Sequence, residues 1–79
     1  MNTVQTLESI KAAINSAPRN DYVAELHLQI IKHADALQNM TGRDFCSSLG
    51  IKPSYAIEFA KMRKIAPRLI KAELNPNRI

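Results

Sequence analysis

The sequence predicts a small all-α fold, a bundle of four to five helices, on three observations. Pro18, Gly42, Gly50, Pro53, Pro67 and Pro76 fall between segments whose apolar residues recur at helical spacing. No stretch of alternating Val, Ile or Thr reads as a strand. The chain has 79 residues, 46% of them hydrophobic and 23% charged, which suits one folded core and leaves too little chain for two.

The first helix is expected from about Val4 to Ser16, with Thr3 or Asn2 as N-cap and Val4, Leu7, Ile10 and Ile14 on its inner face. Pro18-Arg19-Asn20 breaks it. A longer second helix is expected from about Asp21 to Gln38, capped by Asn20, with Val23, Leu26, Ile30, Ala34 and Leu37 as a heptad-like seam. Tyr22, Leu28 and Ile31 widen that seam, so this helix is expected to serve both the core and a homodimer interface. Thr41 and Asp44 mark the start of a third helix as a reciprocal capping pair, and Phe45, Cys46 and Leu49 supply its inner face. Gly50 supplies the left-handed residue that ends it. Pro53 suits the first position of a fourth helix, expected to about Ile65. Pro67 either kinks that helix or opens a new short one ending near Leu74; the sequence leaves both open. Asn75-Pro76-Asn77 then leaves a short tail.

Charge divides the chain. Residues 1–40 hold three basic and four acidic side chains, whereas 41–79 hold eight basic and three acidic, so the net +4 resides in the second half. Such a basic half fits a polyphosphate partner, whose condensed counterions are released on binding. A solvated basic helix face is the plainer explanation of the same composition. At helical spacing Ser54, Lys61, Lys64, Arg68 and Lys71 share one stripe, opposite Tyr55, Ala56, Phe59, Met62, Ala66, Ile70 and Leu74. Arg68 and Lys71 belong to it only if the helix survives Pro67. Arg63 lies near the apolar face, where it snorkels or pairs with a carboxylate.

Residues 41–65 have the pattern of a helix-turn-helix, two short helices joined by a Gly-containing turn. A small residue, Cys46, stands where the helices cross, and Gly50 follows four residues later. The run Leu49-Gly50-Ile51-Lys52-Pro53-Ser54-Tyr55 resembles the turn of the lambda-repressor-like (Xre-type) helix-turn-helix family, in which Leu-Gly-Val-Ser-Pro-Ser-Tyr is common. The resemblance implies that the second helix of the motif enters the major groove of DNA, bringing Lys52, Ser54, Glu58 and Lys61 near base edges. With the basic stripe added, the DNA-binding set is Arg43, Lys52, Ser54, Tyr55, Glu58, Lys61, Lys64 and Arg68. Outward Ile57 and Glu58 suit a thymine methyl and a cytosine amine, or equally the surface of another protein.

Other chemistry is not expected. His27 and His33 are six residues apart, which puts them on different helical faces, and Cys46 stands alone, so neither a metal site nor a disulfide is expected. Cys46 reads as a packing residue in preference to a redox sensor. With no phosphate-cradling glycine loop and no nucleophile with its base, neither an enzyme nor a cofactor is expected. The start lacks the basic flank and apolar stretch of a signal peptide, and no apolar run approaches a membrane span, so a cytoplasmic protein is expected. The sequence thus reads as one domain over 1–79: N-terminal helices over 3–39, the helix-turn-helix over 41–65, and a C-terminal helix and tail over 66–79. It would bind double-stranded DNA as a homodimeric transcription regulator. The alternative is a non-catalytic adaptor or inhibitor that grips an acidic protein surface through Ile57, Tyr55 and the basic stripe.

Overall fold

A computed structural model describes residues 3–79. Four α-helices follow one another: α1 (Thr3–Ser16), α2 (Tyr22–Lys32), α3 (Gly42–Leu49) and α4 (Ala56–Lys71). Short 3-10 turns occupy Arg19–Asp21, Pro53–Tyr55 and Pro76–Arg78, and no strand is present among the described residues. The all-α bundle follows from the sequence pattern. No helix of the described residues is long and apolar enough to cross a membrane.

Helix α1 buries Thr6, Ile10 and Ile14, whereas Val4, expected on the inner face, is 59% exposed. Thr6 is wholly buried and its hydroxyl has no hydrogen-bond partner among the described residues, so a polar side chain fills a core position at some energetic cost. Thr3 is already helical, and the other candidate cap, Asn2, lies outside the described residues. At α2 the expected cap Asn20 sits inside the 3-10 turn, and the helix opens at Tyr22 behind Asp21.

The structure corrects the extent of the second helix. Regular α-helix stops at Lys32, and residues 33–39 continue as successive turns that still bury Ala34 and Leu37. Within them the Leu37 amide donates to the His33 and Ala34 carbonyls at 3.1 and 3.2 Å, and the Met40 amide to Leu37 at 3.2 Å. The turns persist because carbonyls within them find a further donor elsewhere. Arg63 Nη1 donates to the carbonyls of Leu37 (3.1 Å), Gln38 (3.4 Å) and Met40.

The core has two parts. The larger joins Ile10 and Ile14 of α1, Leu26 and Ile30 of α2, Leu37, and Phe45, Cys46, Leu49 and Phe59 of the α3–α4 pair. The smaller joins Ile31, Ala34 and Ala66, with Leu69, Leu74 and Ile79 packed on it. Helix α2 faces both, which accounts for much of its broad apolar surface; Val23, expected in the seam, is 42% exposed, and Leu28 is 45% exposed.

Helix α4 runs unbroken through Pro67 to Lys71, which resolves the question the sequence left open. Pro67 removes one backbone donor, but it lies on the exposed side while its neighbour Ala66 is fully buried against α2, and that packing holds the helix together. Its end is a Schellman closure, with the Glu73 amide on the Ile70 carbonyl (2.9 Å) and the Leu74 amide on Leu69 (3.0 Å). Glu73 takes the left-handed position, φ 73°, that glycine usually fills. The tail is not loose: Ile79 packs on the smaller core, and Lys32 Nζ donates to its carbonyl oxygen at 3.1 Å.

Candidate nucleic-acid interface

Local chemistry sets the α3–turn–α4 unit. The Thr41 hydroxyl accepts from the Asp44 amide at 3.1 Å, opening α3 in the expected register. At the other end Gly50, φ 69°, donates to the Ser47 carbonyl (3.2 Å) and Ile51 to Cys46 (3.0 Å), a second Schellman closure that turns the chain toward α4. The first turn after Lys52 is 3-10 over Pro53–Tyr55, so α-helix starts at Ala56, three residues later than expected.

Two contacts lock α3 against α4. Phe45 and Phe59, both fully buried, stack with ring centroids 4.4 Å apart. At the helix N-termini Gly42 meets Ala56 so closely that a Cβ on Gly42 would lie 2.8 Å from the Ala56 Cβ and 3.0 Å from its carbonyl oxygen. In the sequence Gly42 signals only a segment boundary, yet it is a point of close approach between the two helices. Gly42→Ala is expected to cost about 1–3 kcal/mol, because the crowding atoms include backbone that has no rotamer to give. Thermal unfolding measures it; an unchanged midpoint would mean that the helix N-termini have slack. Cys46 is 2% exposed in the same core, and burial pushes its thiol above the ordinary range, in keeping with a packing role.

The candidate DNA-contacting residues divide on this frame. Lys52, Ser54, Lys61, Lys64 and Arg68 are exposed, as is Arg43 on α3. Because α4 continues past Pro67, Lys61, Lys64, Arg68 and Lys71 form one unbroken exposed stripe opposite buried Phe59 and Ala66. Ile57, 61% exposed, stands at the N-terminal end of that stripe, and from it to Lys71 the face extends about 21 Å.

Glu58 does not face outward as expected. It is half-buried toward α2, where His27 Nε2 lies 2.9 Å from Glu58 Oε2. Thirty-one residues separate the partners, and no local pattern in the sequence signals the pair. Tyr55 is also half-buried, packed on the core with its ring centroid 6.0 Å from that of Tyr22. Burial, then the neighbouring Tyr55 and Cys46, raise the Tyr22 phenol above its ordinary value, and the ring contact anchors the turn to α2. Arg63 stands apart from the stripe: its guanidinium lies 4.7 Å from the Phe59 ring centroid and donates into the 37–40 carbonyls. Among the described residues no group of three His, Cys, Asp or Glu is placed to hold a metal ion.

A family model described as an HTH-like domain matches residues 2–72. The chain belongs to the HTH-like domain family. The match spans all four helices and carries α4 to its end, so the stripe beyond Pro67 is part of the HTH-like domain. No curated protein and no solved structure matches the chain. The HTH-like domain thus comprises the α3–turn–α4 unit, the two helices that brace it, and a basic face on α4.

Proposed function

We propose that this HTH-like domain is a non-catalytic, DNA-binding transcription regulator that acts in the cytoplasm and sets the N-terminal part of α4 in the major groove. The observation that carries the reading is the unbroken stripe of Lys61, Lys64, Arg68 and Lys71, segregated from the core and free of carboxylates. Cations so spaced follow a phosphate backbone and position the helix without reading sequence. Lys52 and Ser54, exposed ahead of α4, are the polar side chains nearest the groove in this docking. The Leu49-Gly50 turn and its Schellman closure support a lambda-repressor-like docking in particular. A homodimer fits the small surface that one short helix offers DNA, with exposed Val23 and Leu28 on α2 as apolar positions left for a partner copy.

The test is fluorescence-anisotropy titration of a random-sequence duplex at low and near-physiological salt, with sedimentation to read the oligomer. Wild-type binding is expected to fall steeply with salt. Lys61→Ala/Lys64→Ala is expected to weaken it at least tenfold at low salt and to lower the log–log slope by roughly two, since each lysine neutralises about one phosphate. Both lysines are exposed, so the variant's circular dichroism and melting temperature should match wild type. Absence of duplex binding at low salt would overturn the reading and turn attention to an acidic protein surface as the partner of the stripe.

A further inference from the structure

Along the outward face of α4 the side chains are cationic at Lys61, Lys64, Arg68 and Lys71, and apolar at Ile57. Ile57 recurs with Lys61, Lys64 and Arg68 at the spacing that stacks side chains on one helical face, and 61% of it is open to solvent. It is the second residue of α4, where a helix entering the major groove brings its side chains to base edges. Ser54, one turn before Ile57, is exposed in the 3-10 turn ahead of the helix, whereas within the first turn of α4 the side chain that offers hydrogen-bonding capacity, Glu58, is turned away and held by His27 at 2.9 Å. Ala60, one turn beyond Ile57, is exposed and adds only a methyl. The N-terminal end of this face therefore presents methyl groups ahead of a row of cations. Among the features of the major groove, the C5-methyl of thymine is the one that apolar side chains contact.

We propose that Ile57 is a specificity-determining residue that reads a thymine methyl, while the His27–Glu58 pair keeps a carboxylate from competing for a cytosine amine at the same place. This inference rests on the DNA-binding reading above. Burial of one methyl between Ile57 and the base corresponds to about a three- to fivefold preference for thymine over uracil, whose pairing edges are the same.

The experiment selects duplexes from a random library with the wild-type chain. The best-bound sequence is then remade with uracil replacing each thymine in turn. Wild type is expected to lose about three- to fivefold in affinity at one position. Ile57→Ala should bind the thymine and uracil duplexes equally there, whereas Ile57→Val, which keeps branched methyls, should retain part of the preference. Freeing the carboxylate with His27→Ala is expected to shift a fresh selection toward cytosine beside that position. A wild-type protein indifferent to uracil at every position, or an Ile57→Ala variant that keeps the preference, overturns the role of Ile57. Salt-steep binding retained in either case would show that the DNA reading itself survives. If no duplex binds at any salt, the underlying reading fails and the specificity role fails with it.

Discussion

Phe59→Ala is expected to remove a large part of the domain's stability and to lower its urea midpoint far below that of wild type. Removing a buried phenylalanine costs about 3–5 kcal/mol through lost transfer energy and the cavity left behind. A 79-residue domain has only about 4–12 kcal/mol in all. Two further interactions raise the cost at this position. Phe59 stacks on Phe45 at 4.4 Å, the main apolar contact that fixes α3 on α4, and its ring lies beneath the Arg63 guanidinium at 4.7 Å. Urea unfolding followed by circular dichroism gives the number, and Phe59→Leu, which fills much of the space, should recover more than half of it. Phe59→Ala unfolding at the wild-type urea midpoint would mean that the α3–α4 pair is held by something other than this stack.

The features legible in the sequence are those decided within a few residues. Thr41 with the Asp44 amide, Gly50 with the closure over Ser47 and Cys46, and the apolar spacing of Phe45, Leu49 and Phe59 set the helix-turn-helix locally, and each stands where the pattern places it. What stays hidden depends on partners far along the chain. Helical periodicity carries α2 on to Gln38, because Ala34 and Leu37 keep their phase and are buried even after the helix has ended. Pro67 is ambiguous in the sequence because its local cost is real, and only burial of Ala66 against Ile31 and Ala34 decides in favour of a continuous helix. In α1 the spacing selects a stripe but not its centre. Thr6 therefore takes the core place that hydrophobicity alone assigns to Val4. In the candidate interface the charged stripe is readable, while the removal of Glu58 is not, since His27 reaches it from another helix.

Arg63 shows most clearly how a long-range contact sets local structure, and its replacement should carry the second-largest penalty. Counted by charge alone it belongs with the basic residues of the second half, yet it serves the fold. One nitrogen, Nη1, faces the carbonyls of Leu37, Gln38 and Met40 where α2 gives way to turns, although the Leu37 carbonyl also accepts from the Met40 amide at 3.2 Å. Its two protons make at most two strong bonds, and a hydrogen bond from a charged donor is worth about 1.5–3 kcal/mol. Arg63→Ala also loses the cover over Phe59, so the expected cost is about 2–4 kcal/mol. Arg63→Met keeps most of the stem and should separate packing from hydrogen bonding. Arg63→Lys keeps the charge but concentrates it in a compact ammonium without the planar fork, so it should rescue only part of the loss. Because the acceptors are neutral carbonyls, the penalty should change little between low and high salt, unlike that of a surface ion pair. Hydrogen exchange would locate the effect: amides of 33–40 are expected to lose protection more than those of α1. Unchanged protection over 33–40 in Arg63→Ala would mean that the turns stand without the arginine, and that the end of α2 at Lys32 has another cause.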